Sequence, residues 1–296
     1  MRKAMIISNP SSGKEKAKQY VSEVQAILES KPYEVVVNET VGEGDAANYG
    51  LSACQDGCDL VVSIGGDGTL HETINGMLDQ EQRPLLGIVP LGTVNDFARA
   101  LHISLDPDEA IEQLRSEQTR WVDLGAVNGQ LFANVVAAGS LAEALFSVSS
   151  EEKSKLGAFA YMKEGLKDLV STPDNMLRIE YDGQLWEGES PLFLAALTNS
   201  VGGFEKLSPD AEVDDGLIHC FVIRNIGVLN SLTLGASLFF GNLKEHKDVD
   251  YFTAKEVHVH SDEPIRTNVD GEEGPALPID IRVLPGYMKV IVPEKS

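Results

Sequence analysis

The sequence predicts an α/β protein of two domains: an N-terminal doubly wound α/β domain over residues 1–125, followed by a mostly antiparallel β-sandwich domain over residues 126–296 whose last strand is a candidate to return to the first domain. Three observations predict this. At 296 residues the chain is long for one core and suits two. Its first half alternates short apolar runs with helical patterns, which implies a parallel sheet with helices on both faces. Its second half repeats extended segments between turn residues, with Asp182-Gly183 as a hairpin signal.

Taken in order, residues 4–7, 33–37, 60–64 and 85–89 read as strands, and residues 14–29, 45–54 and 70–78 as the helices between them. Ligands of such sheets bind beyond the carboxyl ends of the strands. Three of those ends run into small or polar loops: Asn9-Pro10-Ser11-Ser12-Gly13-Lys14, Gly65-Gly66-Asp67-Gly68-Thr69, and Pro90-Leu91-Gly92-Thr93-Val94-Asn95-Asp96-Phe97. Together on one rim they would line a nucleotide site. After Trp121-Val122-Asp123-Leu124 the pattern changes, and residues 131–137, 178–181, 184–187, 192–198, 217–223, 256–260, 265–270, 279–284 and 289–292 read as strands of the second domain. Helical stretches over residues 158–170 and 228–240 interrupt them.

The glycine loop carries the sharpest chemistry. Three glycines in four positions let the backbone turn tightly and approach a ligand, and the helix start just beyond offers unpaired N–H groups to an anion. Asp67 would then hold a magnesium ion or face a transferred phosphoryl group, or, more simply, cap the helix. A Walker A loop is absent, because Gly13-Lys14 is followed by Glu15 and Ser8 stands where the first glycine belongs. Gly42-Glu43-Gly44-Asp45-Ala46-Ala47 matches a dinucleotide fingerprint on paper, but its two acids would meet a pyrophosphate unfavourably. A helix start capped by Thr40 or Asp45 is the better reading.

Composition narrows the partners. Hydrophobic residues make up 43% and charged residues 24%, an ordinary globular balance, while the net charge of −22 argues against nucleic acid and restricts any contact with an anionic membrane to a local patch. Cys54, Cys58 and Cys220 make neither a disulfide framework nor a zinc pair of motifs. The N-terminal apolar run is too short for a signal peptide, and no run is long enough to span a bilayer, so the expected place is the cytoplasm with transient membrane association.

Gly65-Gly66-Asp67-Gly68-Thr69-Leu70-His71-Glu72 followed by Pro90-Leu91-Gly92-Thr93-Val94-Asn95-Asp96-Phe97-Ala98-Arg99 resembles the bacterial diacylglycerol kinase family, relatives of the sphingosine kinases and YegS-type lipid kinases. The first motif is shared with NAD kinases; the second discriminates. Leu197-Thr198-Asn199-Ser200, residues 209–216 and Asn268-Val269-Asp270-Gly271-Glu272 also have family counterparts, so the resemblance spans nearly the whole chain. It implies an active site in the interdomain cleft and an ATP site drawn from Asn9, Pro10, Ser11, Ser12, Gly13, Thr40, Gly66, Asp67, Gly68, Thr69, Leu70, His71, Glu72 and Thr93, to which the rim reading adds Gly65, Asn95 and Asp96. His71 stands where the family pattern suggests asparagine.

In the second domain, Glu212-Val213-Asp214-Asp215-Gly216-Leu217 suits either a hard cation such as magnesium or a self-bonded Asp-Gly turn. The resemblance implies a structural magnesium site with Asp215 as side-chain ligand and Glu212 and Leu217 as backbone ligands. Asp270-Gly271-Glu272 reads as a hairpin turn, and the resemblance places it opposite the glycine loop. Asp270 is the first choice for general base, with Glu272 able to exchange roles with it from the same face of an extended chain; in sphingosine-kinase relatives the aspartate of the glycine loop, here Asp67, takes that role. The apolar helical stretch over residues 228–240 reads as a helix packed on the sheet, with an acyl-chain wall or shallow membrane contact as the alternative.

The expected activity is therefore transfer of the γ-phosphoryl group of ATP to the hydroxyl of diacylglycerol, with magnesium, at a membrane surface reached by peripheral contact through an apolar edge or the basic cluster Lys153, Lys155, Lys163 and Lys167. A homodimer is compatible with this reading. The alternatives are another acceptor, NAD or a sphingoid or other lipid alcohol, and a nucleotide sensor that catalyses nothing.

Overall fold

A computed structural model describes residues 2–13, 16–139, 175–203, 207, 210–224, 234, 237 and 241–294. The expected helices over residues 158–170 and 228–240 and the four lysines of the basic cluster lie outside them, the single positions 234 and 237 excepted. The chain divides into two compact units, Met1–Asp123 with Pro285–Ser296, and Leu124–Leu284.

The first unit runs β1 (Arg2–Ser8), α1 (Ala17–Ser30), β2 (Tyr33–Glu39), α2 (Asp45–Gln55), β3 (Leu60–Gly65), α3 (Asp67–Gly76), β4 (Leu85–Pro90), α4 (Asp96–Ala100), α5 (Pro107–Gln113) and the start of β5 (Thr119–Val127). Its parallel sheet has the order β2-β1-β3-β4. Ala4 and Ile6 of β1 and Leu60, Val62 and Ile64 of β3 pack on Tyr20, Val24 and Leu28 of α1, while the alternate residues Met5, Ile7 and Val61 are buried too. Period-2 alternation with both faces buried is what reads in sequence as a continuous apolar run. Helices α2 and α3 cross closely at Gly50 and Gly76: a Cβ on Gly76 would stand 2.0 Å from the Ala47 carbonyl oxygen.

The second unit continues with β6 (Gln130–Phe132), β7 (Val135–Ala138), β8 (Asn175–Tyr181), β9 (Gln184–Ser190), β10 (Leu192–Ala196), β11 (Ile218–Ile223), β12 (Val249–Ala254), β13 (Glu256–Ser261), β14 (Arg266–Val269), β15 (Glu272–Ala276) and β16 (Ile279–Ile291), whose later residues belong to the first unit. It is the expected antiparallel sandwich. One sheet has the order β12-β11-β10-β7-β14-β15, and the other pairs β16 with β13, β13 with β8 and β8 with β9. Their inner faces share one core that includes Phe132, Phe193, Cys220, Val257, Ile279 and Ile281. Asp182 and Gly183, at φ 43° and 81°, make the predicted two-residue turn between β8 and β9.

Several boundaries differ from expectation. Helix α3 begins at Asp67, so the aspartate sits in its first turn and not in a loop before it. Helix α2 is preceded by Gly44 in the left-handed region at φ 82° with no side-chain cap; Asp45 instead accepts from the Val41 and Gly42 N–H groups, and Thr40 spends its N–H on the Ser8 carbonyl. The segments 279–284 and 289–292 form a single strand, β16, because Gly286 at φ 56° lets the chain continue while donating its N–H to Asp123. The segment 131–137 is two strands, broken at Ala133 and Asn134. Asp270 and Gly271 are turn residues at φ 52° and 97°, so Asp270 and Glu272 do not alternate along an extended chain as supposed.

Candidate active site

The carboxyl ends of β1, β3 and β4 meet as one constellation. The Asn9 N–H donates to the Ile64 carbonyl at 3.0 Å and the Leu91 N–H to the Gly65 carbonyl at 2.7 Å, tying each neighbouring loop to the glycine loop. Gly13, at φ 66°, leaves room for Leu91, whose Cδ1 would lie 3.3 Å from an added Cβ. Gly66 and Gly92 touch backbone to backbone: a Cβ on Gly92 would fall 2.8 Å from Gly66 Cα and 2.7 Å from Asn95 Oδ1. Asn95 holds this turn from a left-handed conformation at φ 54°, its amide donating to the Gly92 carbonyl at 2.7 Å and accepting from the Gly92 N–H at 3.0 Å. Asparagine tolerates that conformation and can close the ring of bonds through its short amide. Gly92→Ala is therefore expected to lower the melting temperature by several degrees, because a backbone neighbour cannot swing aside as a side chain would. Unchanged melting in that variant would mean the two loops need not touch.

Asp67 is the bridge between the two motifs. Its Oδ2 accepts from the Asn95 N–H at 2.7 Å and its Oδ1 from the Asp96 N–H at 3.0 Å, so one carboxylate in the first turn of α3 holds the first N–H groups of α4. An acid at a helix N-terminus is favourable for α3 as well.

Beside these loops lies a cavity of about 280 Å³ lined by Asn9, Ser11, Thr40, Val41, Gly42, Glu43, Ala46, Gly68, Thr69 and Glu72. Six of the sequence-predicted residues thus line one space: Asn9, Ser11, Thr40, Gly68, Thr69 and Glu72. Asn9 is fixed there by its own turn, accepting from the Ser11 N–H at 3.0 Å and reaching Thr69 Oγ1 at 3.4 Å. Glu72 accepts from the Ala46 N–H at 3.2 Å and so supports the start of α2. Gly65, Gly66, Asp67, Leu70 and Asn95 line a small crevice of about 10 Å³ with Pro90. His71 is buried on α3, its ring 3.3 Å from the Asn75 amide, and Thr93 is exposed. Pro10, Ser12, Gly13, Thr93 and Asp96 frame the loops without lining either space.

In the second unit the 212–217 turn is closed on Asp215. Its Oδ1 accepts from the Leu217 N–H at 2.9 Å, and its Oδ2 accepts from the Glu212 N–H at 3.1 Å and from His219 Nε2 at 2.9 Å. Burial pushes the Asp215 carboxyl upward, but the hydrogen bonds from His219, Glu212 and Leu217 and the His219 charge outweigh it and hold the group below the usual carboxylate range. Among the described residues no cluster of three or more His, Cys, Asp or Glu side chains forms a metal cage. Asp270 is held in its own unit by the break between β6 and β7: its carboxylate accepts from the Ala133 N–H at 2.6 Å and from those of Asn134 and Val135 at 2.9 Å, while its N–H donates to the Val135 carbonyl. Glu272 is exposed and makes no side-chain hydrogen bond among the described residues.

A family model for the diacylglycerol kinase catalytic domain matches residues 3–127, and one for the YegS C-terminal NAD kinase beta sandwich-like domain matches residues 134–292. The chain belongs to the diacylglycerol kinase family. It is 37% identical to a protein named diacylglycerol kinase from Bacillus subtilis, covering 100% of this chain and 98% of that one, and 41% identical to one from Staphylococcus haemolyticus, covering 99% and 89%. A crystal structure of a diacylglycerol kinase from Bacillus anthracis aligns with a TM-score of 0.83 at 29% identity over 98% of this chain and 97% of that chain.

Proposed function

We propose that this protein transfers the γ-phosphoryl group of ATP to the free hydroxyl of diacylglycerol, giving phosphatidic acid. The observation that carries the reading is the cavity at the N-terminal end of α3, where the Asn9–Ser11 turn and the Gly68–Thr69 turn share one polar wall. The backbone N–H groups at the start of a helix favour the phosphates. Glu43 and Glu72 line the same space, so a bare polyphosphate would meet two carboxylates and the nucleotide enters with a cation. Phosphoryl transfer asks mainly for positioning and charge compensation, and the Asp67 bridge supplies the first by fixing α3 against α4.

Magnesium is the fitting cation for the 212–217 turn as well. The donors already present occupy three of the roughly four acceptor positions on the Asp215 carboxylate, leaving one for a hard ion, for which the family resemblance names the Glu212 and Leu217 carbonyls as further ligands. Bound there it would supply fixed positive charge and brace the turn. The proton of the acceptor hydroxyl goes to the Asp270–Glu272 pair, with Glu272 the freer carboxylate. No helix among the described residues is long and apolar enough to cross a membrane, and a diacylglycerol acceptor requires peripheral contact with a bilayer surface.

The test is an assay of purified protein with ATP, magnesium and mixed-micelle diacylglycerol beside NAD, ceramide and sphingosine. Phosphatidic acid is the expected product. Phosphorylation of NAD or of a sphingoid base in its place would reassign the acceptor, and ATP binding with transfer to none of them would leave a nucleotide sensor.

A further inference from the structure

The Asp215 turn carries more support than an Asp-Gly turn requires. Closing it takes only the Leu217 N–H on Oδ1, a side-chain bond to the backbone two residues on. Oδ2 nevertheless receives a side-chain donor from His219, which is 3% exposed, and the other ring nitrogen, Nδ1, lies 2.7 Å from the Tyr251 hydroxyl. The ionised carboxylate only accepts, so Nε2 carries a proton and donates to it, while Nδ1 and the tyrosine hydroxyl share the second bond. Sheet register builds this chain. Tyr251 of β12 stands opposite Phe221 of β11, which places it diagonally beside His219 on the same face, and its ring packs on Phe221 at 5.1 Å between centroids.

We infer that His219 and Tyr251 are positioning residues that orient the Asp215 carboxylate so that Oδ1 presents its remaining lone pair to a hard divalent cation. This rests on the magnesium reading of the 212–217 turn proposed above. With Oδ2 pinned by two donors and Oδ1 by one, the carboxylate plane is fixed and a single oxygen is left to ligate. Groups that bond a metal ligand from behind commonly set metal affinity by 10- to 100-fold.

The test is magnesium affinity of the full chain by calorimetry, together with the magnesium-dependent rise in melting temperature, which follows from binding to the native state alone. Asp215→Ala is expected to abolish the response. His219→Asn is expected to weaken magnesium about 10- to 100-fold, and Tyr251→Phe to weaken it in the same direction by a smaller factor. Tyr251→Phe keeps the ring and its packing, so it remains informative if the histidine variant fails to fold. Val222→Ala, in the same strand and fully buried, is the comparison: it lowers the melting temperature without touching Asp215. The inference is overturned if His219→Asn or Tyr251→Phe loses melting temperature as Val222→Ala does while magnesium affinity stays at the wild-type value. A wild type that ignores magnesium altogether overturns the metal reading itself and this inference with it.

Discussion

Asp67→Asn is expected to lower turnover by at least about 100-fold, the scale on which a single electrostatic stabiliser acts. The substitution preserves volume and removes the charge. It also leaves one of the two N–H groups now served by the carboxylate, that of Asn95 at 2.7 Å or of Asp96 at 3.0 Å, facing an amide NH₂. A buried donor without an acceptor costs about 1–3 kcal/mol, so the start of α4 loosens as well. The two consequences separate experimentally. If Asp67 acts through its charge on the transferred group, single-turnover transfer collapses while ATP affinity stays within a few-fold. If it acts only by holding α4, ATP affinity and turnover fall together, and Asp67→Asn loses melting temperature as Gly92→Ala does. Near-normal turnover would reduce Asp67 to a link between the two motifs.

That link shows where the sequence was legible and where it was not. The strand at 60–65, the glycine loop after it and the start of α3 within three residues are local features, set by an apolar run, by glycine and by helix periodicity. The Asp182-Gly183 hairpin is equally local. The bonds from Asn95 and Asp96 to Asp67 span 28 and 29 residues, and depend on β3 and β4 lying side by side in the register that pairs Gly65 with Pro90. Nothing in either motif announces that distance. The Gly42–Ala46 stretch was set aside for its acids, yet Val41, Gly42, Glu43 and Ala46 line the cavity, because β2 pairs in parallel with β1 and delivers its loop beside Asn9. Strands β5 and β12 escaped notice for a related reason: β12, with Asp250 and Thr253 among aromatic residues, lacks clean alternation and is specified mainly by its partner β11. The contact of His219 with Tyr251 was likewise hidden, since only the pairing of β11 with β12 gives its ring a tyrosine.

Glu272→Gln is expected to slow the chemical step by roughly 10²- to 10⁴-fold with ATP affinity nearly intact, the signature of a lost general base. The case for Glu272 over Asp270, the first choice from sequence, lies in what each carboxylate is already doing. Asp270 spends three acceptor positions on the Ala133, Asn134 and Val135 N–H groups at 2.6–2.9 Å and sits at φ 52° in a turn whose next N–H, that of Gly271, goes to Asn268. Those bonds fix the break between β6 and β7 to the head of β15, and they leave little of the carboxylate to meet a hydroxyl. Glu272 opens β15 exposed, with its oxygens uncommitted among the described residues. Asp270→Asn should therefore lower both melting temperature and turnover, because the amide presents a donor to a donor at one or more of the three bonds. Single-turnover transfer against pH, with nucleotide affinity and melting measured in parallel, discriminates between them. If Asp270→Asn melts like the wild type and loses only the chemical step, while Glu272→Gln turns over normally, the proton goes to Asp270 and its three backbone bonds serve to aim it.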